Sequence, residues 1–280
     1  MDINDYQNRL FPYAYNILGT YDDAKDVIQD VMAKYYSFDK TGIDNESNYL
    51  IRSVINQSIN LKKRNNRSTI TKQLLPEPIS TENADGNIIR KEIISYSLLV
   101  LLETVNAKER AVFILKEAFD YAHEEIGDIL QISTENSRKL LSRAKVKLQE
   151  SRENKVSSTF TDRSQLENYI HALKNGNLSA IETMLLADIE VKVDGGKLNI
   201  ISAYERGINR VIGLMTKVYK TYQTEMQVKI AMVNHQLAIL FYQDNLLINC
   251  QVFDFEANTS LIKSIYSIVD PEKLKNFNKF

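Results

Sequence analysis

The stretch AHEEIGDILQISTENSRKLLSRAKVKL, Ala122–Leu148, decides how the middle of the chain folds. Ile126, Ile129 and Leu130 recur at helical spacing and face a core from a first helix. Gly127 permits close approach of a second helix, and Gln131-Ile132-Ser133 has the chemistry of the turn between them. Ser133 is a good N-cap, because its side-chain oxygen can accept from a free N–H of the next helix. In that second helix Leu140, Leu141, Ala144 and Leu148 bury one side. Thr134, Arg138, Lys139, Ser142, Arg143 and Lys145 are left pointing outward. Major-groove reading needs such a face: polar side chains near the helix start for base edges, cations further along for phosphates.

Working outward, residues 1–66 also have helical periodicity. Ala24, Val27, Ile28, Val31 and Tyr35 share one face, and Asp23, Asp26 and Asp30 lie opposite with Gln29 beside them. A further helix is predicted over about 48–65, with Leu50, Val54 and Leu61 inward and a basic end outward. Residues 67–90 read as a linker rich in Ser, Thr, Asn and Pro, with a turn signal at Asp85-Gly86. Within it, Leu74-Leu75-Pro76-Glu77-Pro78 is stiffer and more apolar than a tether requires, so it is expected to touch something.

Beyond Ser157 two short helices, at about 162–175 and 178–186, lead into the strand IEVKVDGG. A helix, GINRVIGLMTKVYKTY, is followed by period-two segments, with turn chemistry at Asn234-His235 and Asp244-Asn245. Helices followed by antiparallel strands imply an α+β domain whose curved sheet folds over its helices and can enclose a conical pocket. The domain organisation read from the chain is therefore 1–66, linker 67–90, 91–155 and 156–280.

The 280 residues carry a net charge of −1, but the charge is segregated. Acids dominate up to Glu46, none occurs from Ser47 to Pro76, and basic residues accumulate over 52–72 and again over 138–155. One acidic patch and two basic ones suit one protein partner and one phosphate-rich partner. The alternative is that these runs are solvated helix faces. The single Cys250 excludes an internal disulfide framework and reads as a buried small hydrophobe. No apolar run approaches the roughly 18 residues of a membrane span, and the expected location is the cytoplasm. His123, His171 and His235 form no acid–base dyad or metal-ligand cluster, so neither enzyme activity nor a cofactor or metal is expected.

YNILGTYDDAKDVIQDVMAKYY (15–36), NYLIRSVINQSINLKKRNNR (48–67) and the helix-turn-helix segment together resemble the extracytoplasmic-function group of bacterial sigma factors. That resemblance implies two all-α domains, a helical bundle and a helix-turn-helix, with core RNA polymerase and promoter DNA as partners. Ala24, Asp26, Gln29 and Asp30 make the family's A-x-D-x-x-Q-D pattern, and Asp23, Asp26, Gln29 and Asp30 would contact polymerase. Asn56, Asn60, Lys62, Lys63, Arg64 and Arg67 would engage and melt minus-ten DNA. Thr134, Asn136, Arg138, Lys139, Ser142 and Arg143 would bind the minus-thirty-five duplex. Arg64 and Arg143 have an alternative reading as structural partners of carboxylates.

The C-terminal part, through YIHALKNGNLSAIETMLLADIEVKVDGGK, YERGINRVIGLM and VDPEKL, resembles the SnoaL-like branch of the cone-shaped NTF2-like fold. A sub-family of these sigma factors carries such a domain, with a W-L-P-E-P motif in the linker and D-G-G-G-K in the domain. Here these stand as Leu74-Leu75-Pro76-Glu77-Pro78 and Asp194-Gly195-Gly196-Lys197. Leu74 replaces the tryptophan, the glycine run is one residue shorter, and Asn234-His235-Gln236-Leu237 stands where N-G-x-P is common. The expectation is a sigma factor whose linker docks near Asp194–Lys197 of a built-in regulator. The alternative is a SnoaL-like domain that senses an unidentified small molecule, or catalyses like cyclases and isomerases of that fold.

Overall fold

The computed structural model describes residues 3–37, 43, 45–68, 75–82, 91–150, 162–196, 203–257 and 259–277, with backbone alone at 3–5, 66–68 and 150. Leu74, Lys197, the Arg67 side chain and the Asp85-Gly86 turn lie outside what is described. The chain divides into two compact units: residues 1–73, 83–94 and 98–153, and residues 74–82, 95–97 and 154–280.

The first unit is helical, with α1 (Ile3–Leu18), α2 (Tyr21–Ser37) and α3 (Glu46–Ser68) packed on one another. The apolar stripe expected on α2 is the buried one: Ala24, Val27, Ile28, Val31 and Tyr35 all face the core. Helix α3 starts two residues before, and ends three residues after, the 48–65 predicted from periodicity. Its polar C-terminal turns have no apolar period to mark them.

The helices α4 (Tyr96–Leu101), α5 (Ala107–Glu117), α6 (His123–Leu130) and α7 (Thr134–Glu150) follow, with a 3₁₀ turn at Leu102–Thr104 between α4 and α5. Asn106 caps α5, accepting from the backbone N–H of Lys108 and Glu109, while Glu109 reaches back to the Asn106 N–H. Between α6 and α7 the chain reverses at Gln131, φ 52°, and Ser133 accepts from the Asn136 N–H as cap. A Cβ on Gly127 would sit 2.8 Å from the Ile132 carbonyl oxygen, so the tight turn requires glycine there.

The second unit is α+β. Helices α8 (Ser164–Lys174) and α9 (Leu178–Glu182) precede β1 (Leu185–Asp194), β2 (Ala203–Arg206) and α10 (Ile208–Val218), which runs on as a π turn over Tyr219–Gln223. Then come β3 (Gln227–Val233), β4 (Gln236–Gln243), β5 (Leu246–Phe255), β6 (Ile262–Ile268) and α11 (Pro271–Leu274). The second short helix stops at Glu182, earlier than its predicted end at 186, because β1 already begins at Leu185.

The six strands pair in the order β2-β1-β6-β5-β4-β3, antiparallel throughout except for the parallel pair β1–β6. Register shifts within β1–β6, β4–β5 and β5–β6 mark where the sheet bends over its helices. Leu237, Ile239, Phe241, Phe253 and Ile265 bury one face against Leu166, Tyr169, Val211 and Met215. Both predicted turns are two-residue hairpin loops with every central residue left-handed: Asn234 and His235 at φ 45° and 59°, Asp244 and Asn245 at 49° and 65°. Asn and Asp tolerate that region, so the Asn234-His235 turn forms without the more common glycine.

Candidate functional site

The extended strip Leu75–Glu82 belongs to the second unit and lies on its sheet domain, with Leu75, Pro76, Glu77, Pro78 and Ile79 all buried. Its first anchor is a carboxylate. The Leu75 N–H donates to Asp194 Oδ2 at 2.6 Å, and Lys273 Nζ donates to the same oxygen at 2.6 Å. Lys273 also donates to the Leu75 carbonyl oxygen. One ammonium and one carboxylate therefore hold both backbone groups of a single linker residue.

Asp194 ends β1, and its Oδ1 accepts from the Gly196 N–H at 2.8 Å, closing the loop back on the carboxylate. Gly196 sits at φ 68°, and a Cβ there would collide with the Asp270 carboxylate. The glycine therefore serves both the left-handed turn and the close approach of α11, whose N-terminus Asp270 caps through the Glu272 N–H. That approach delivers Lys273 to Asp194. Of the predicted strip and loop, the structure brings together Leu75, Asp194 and Gly196, with Gly195 buried beside them.

The second anchor is the Asn234 turn. Asn234 Oδ1 accepts from the Ile79 N–H at 2.9 Å, and the Asn234 N–H donates to the Ile79 carbonyl at 2.9 Å. The Thr81 N–H donates to the Met232 carbonyl at 2.8 Å, and the His235 N–H donates to Thr81 Oγ1 at 2.9 Å. Glu82 accepts from the Met232 N–H at 2.6 Å and pairs with Arg163. The strip thus covers the free edge of β3 as a short added strand, bridging at Ser80 and Val233. Tyr96 closes over it: its hydroxyl donates to the Pro76 carbonyl at 2.7 Å, and its ring lies 5.7 Å from that of Tyr266. The Ser97 N–H donates to Gln236 Oε1, whose amide in turn donates to Asp254 Oδ1.

Sequence reasoning missed Lys273, Asn234 and Tyr96. The closing VDPEKL enters the sequence reading only as part of the resemblance to the cone-shaped fold, although its Asp-Pro helix start is the signal that places Lys273 close behind the cap. None of the three histidines enters the apolar core of the sheet domain. His123 pairs with Ser137 Oγ, His171 with Asn175, and His235 is in the turn.

In the first unit, Asp26 and Gln29 are exposed on α2, whereas Asp23 accepts from Asn65 and Asp30 from Gln57 of α3. On α3, Asn60, Lys63 and Arg64 are exposed. Asn56 is half-buried and donates to the carbonyls of Arg52 and Ile129. Lys62 is buried against Glu103 rather than facing solvent with its neighbours. On α7, Asn136, Arg138, Lys139, Ser142 and Arg143 are exposed and Thr134 half-exposed. Arg138 and Lys139 lie 3.8 and 2.6 Å from Glu124 and Glu135 in solvated pairs that a phosphate can displace at little cost.

Two family models match the chain: Sigma-70 region 2 over residues 3–68 and Sigma-70, region 4 over residues 95–148. The chain therefore carries regions 2 and 4 of the sigma-70 family. It is 24% identical over 235 residues to the ECF RNA polymerase sigma factor SigJ of Mycobacterium tuberculosis, covering 79% of this chain and 74% of that one. The probable ECF sigma factor SigI of the same organism matches at 24% over 208 residues, 70% of each chain. The crystal structure of Mycobacterium tuberculosis SigJ shares the fold at a TM-score of 0.76 and 19% identity, covering 99% of both chains. The chain therefore has the expected order of two helical sigma regions followed by an α+β sheet domain, the fold it shares with that crystal structure. Among the described residues no helix is long and apolar enough to cross a membrane, and no three His, Cys, Asp or Glu side chains are grouped to hold a metal.

Proposed function

We propose that this is an extracytoplasmic-function-type sigma factor acting in the cytoplasm, restrained in cis by its C-terminal domain through the docked linker strip. The observation that carries the reading is the Asp194–Lys273 clip on Leu75. A linker that must span between two promoter elements has eight of its residues held on another domain, so its reach is shortened while the strip is docked. Pro76 and Pro78 lower the entropy cost of the extended shape, and Asp194 and Asn234 fix its two ends. In this reading region 2 covers residues 1–66 and region 4 residues 91–155, flanking the 67–90 linker.

Asp23, Asp26, Gln29 and Asp30 present the acidic face for core polymerase, a contact in which charge complementarity governs encounter and register. Asn56, Asn60, Lys63, Arg64 and Arg67, with Lys62 once it is freed, hold an opened minus-ten strand, cations on the backbone and amides on the base edges. Thr134, Asn136, Arg138, Lys139, Ser142 and Arg143 meet the minus-thirty-five duplex, with the start of α7 toward the bases.

Run-off transcription with purified core polymerase and the full chain tests both parts. Lys63→Ala and Arg138→Ala are expected to lower promoter-directed product severalfold, and Asp194→Asn to raise it. Equal product from the wild type and Asp194→Asn would remove the case for restraint by docking, and undiminished product from both basic-residue variants would remove the assigned DNA surfaces.

A further inference from the structure

Where α1 and α3 meet the 3₁₀ turn and α5, two buried cations, Lys62 and Arg110, converge on the half-buried Glu103. Lys62 Nζ donates to Glu103 Oε1 and Oε2 at 2.8 and 2.7 Å and to the Leu18 carbonyl at 3.0 Å. Arg110 Nη1 donates to Glu103 Oε1 at 2.5 Å, and Arg110 Nε donates to the Asn16 carbonyl at 2.9 Å. The Arg110 side chain is fully buried. Glu103 and Arg110 lie within the segment matched to region 4, and Lys62, Leu18 and Asn16 within the segment matched to region 2. The two regions are thus joined through one carboxylate.

Two further contacts run the same way. Asn56 Nδ2 donates to the Ile129 carbonyl at 2.9 Å, and the Tyr13 ring stacks on Phe119 with centroids 4.1 Å apart. The same contacts occupy two of the groups assigned to minus-ten DNA, Asn56 and Lys62. The closed arrangement is also too small for its task. Elements named for positions 25 base pairs apart lie about 85 Å apart on B-form DNA at ~3.4 Å per pair. A compact body of roughly 140 residues has a radius of gyration of about 14 Å. Region 4 must therefore leave region 2 before both elements can be read at once.

We propose that Glu103, held between Lys62 and Arg110, is the latch that keeps region 4 folded onto region 2 and withholds Lys62 and Asn56 from DNA until it opens. A single carboxylate suits this role. With it in place both cations share a counter-ion, and without it two buried cations face each other, so the closed form alone is destabilised. The proposal rests on the assignment of the two DNA surfaces above, but its test contains no DNA, so a negative result strikes the latch alone.

In the full chain, cysteines placed at the exposed positions Tyr36 and Val146 carry spin labels, while the native Cys250 is fully buried and stays unlabelled. Pulsed dipolar spectroscopy on the otherwise wild-type chain is expected to show one narrow, short distance. Glu103→Gln is expected to move the closed-to-open ratio by about a hundredfold, visible as a broad, longer population. Glu103→Asp, which keeps the charge but shortens the arm, is the second variant. It is expected to open the pair partially, and it decides the matter if Glu103→Gln loses its cooperative melt. A short distance unchanged in a cooperatively folded variant overturns the latch.

Discussion

Replacing Asp194 with Asn keeps the size of the side chain and removes its charge. The carboxylate is 3% exposed and its Oδ2 receives two donors, the Leu75 N–H and the Lys273 ammonium, both at 2.6 Å. An Asn can offer one oxygen to one of them and turns an N–H₂ toward the other. If Lys273 is the loser, a buried cation is left with only the Leu75 carbonyl. If Leu75 is, a buried N–H goes unpaired at ~1–3 kcal/mol. Leaving a buried ion without its partner costs roughly 3–5 kcal/mol, and the remaining carbonyl keeps the loss near the lower end.

The strip can escape that cost by undocking, so the penalty falls on local opening rather than on the whole domain. A loss of about 3 kcal/mol corresponds to a change on the order of a hundredfold in the opening equilibrium. Amide hydrogen exchange reads it directly. In Asp194→Asn the N–H groups of Leu75, Ile79 and Thr81 are expected to exchange on the order of a hundredfold faster, while that of Phe253, deep in the sheet, keeps its rate. Acceleration below about fivefold at the three strip amides would refute the clip as the strip's anchor. Equal acceleration at Phe253 would show that Asp194 supports the domain rather than the docking.

The buried Lys62 has a pH signature of unusual sign. Burial and the neighbouring Arg110 cation push its ammonium down to about 8, against the pull of Glu103 and Asp23. The unfolded chain therefore binds the extra proton between about pH 8 and the ordinary lysine value, and stability rises with pH across that window. From pH 8 to 9.5 this group adds about 1.5 kcal/mol, so the denaturant midpoint of the wild type should climb over that range and that of Lys62→Met should stay flatter; equal slopes would show that Lys62 is solvated. Gly127→Ala places a Cβ 2.8 Å from the backbone oxygen of Ile132 and is expected to cost about 1–3 kcal/mol, read as a lowered melting temperature; an unchanged melt would mean that the turn after α6 is looser than described.

The sequence announced what depends on neighbours along the chain. The stripe of α2, the Ser133 cap and the two hairpin turns are local patterns whose physics operates within a few residues, and each stands where its residues imply. Helix ends were less legible at α3, whose last turns are polar and basic and carry no apolar period. Side chains recruited from afar were invisible. Lys62 sits in the run Lys62-Lys63-Arg64, where composition makes all three equivalent, yet only Lys63 and Arg64 face water. Nothing near Lys62 in sequence reveals that Glu103, 41 positions away, turns it inward. Lys273 was hidden for the same reason, being 79 positions from the aspartate it serves. The strip was legible in part because its prolines and leucines signal a need for burial, and the D-G-G loop supplied a candidate acceptor.

Two of the buried lysines, Lys62 and Lys273, share a design. Each ammonium is given one carboxylate and one backbone carbonyl: Glu103 and Leu18 for Lys62, Asp194 and Leu75 for Lys273. Burial pushes the Glu103 carboxyl up, and the Arg110 and Lys62 cations more than offset it, so it stays ionised below the usual carboxylate range. Such pairs add little net stability, because desolvation consumes most of the attraction, yet removing either member is costly. An apolar contact of the same area would loosen by degrees as it was pulled apart. A buried pair instead holds until water reaches it, after which each ion is solvated and little attraction remains to restore it. That asymmetry suits joints that must be either made or open, as the two proposed here are: region 4 through Glu103, and the linker through Asp194.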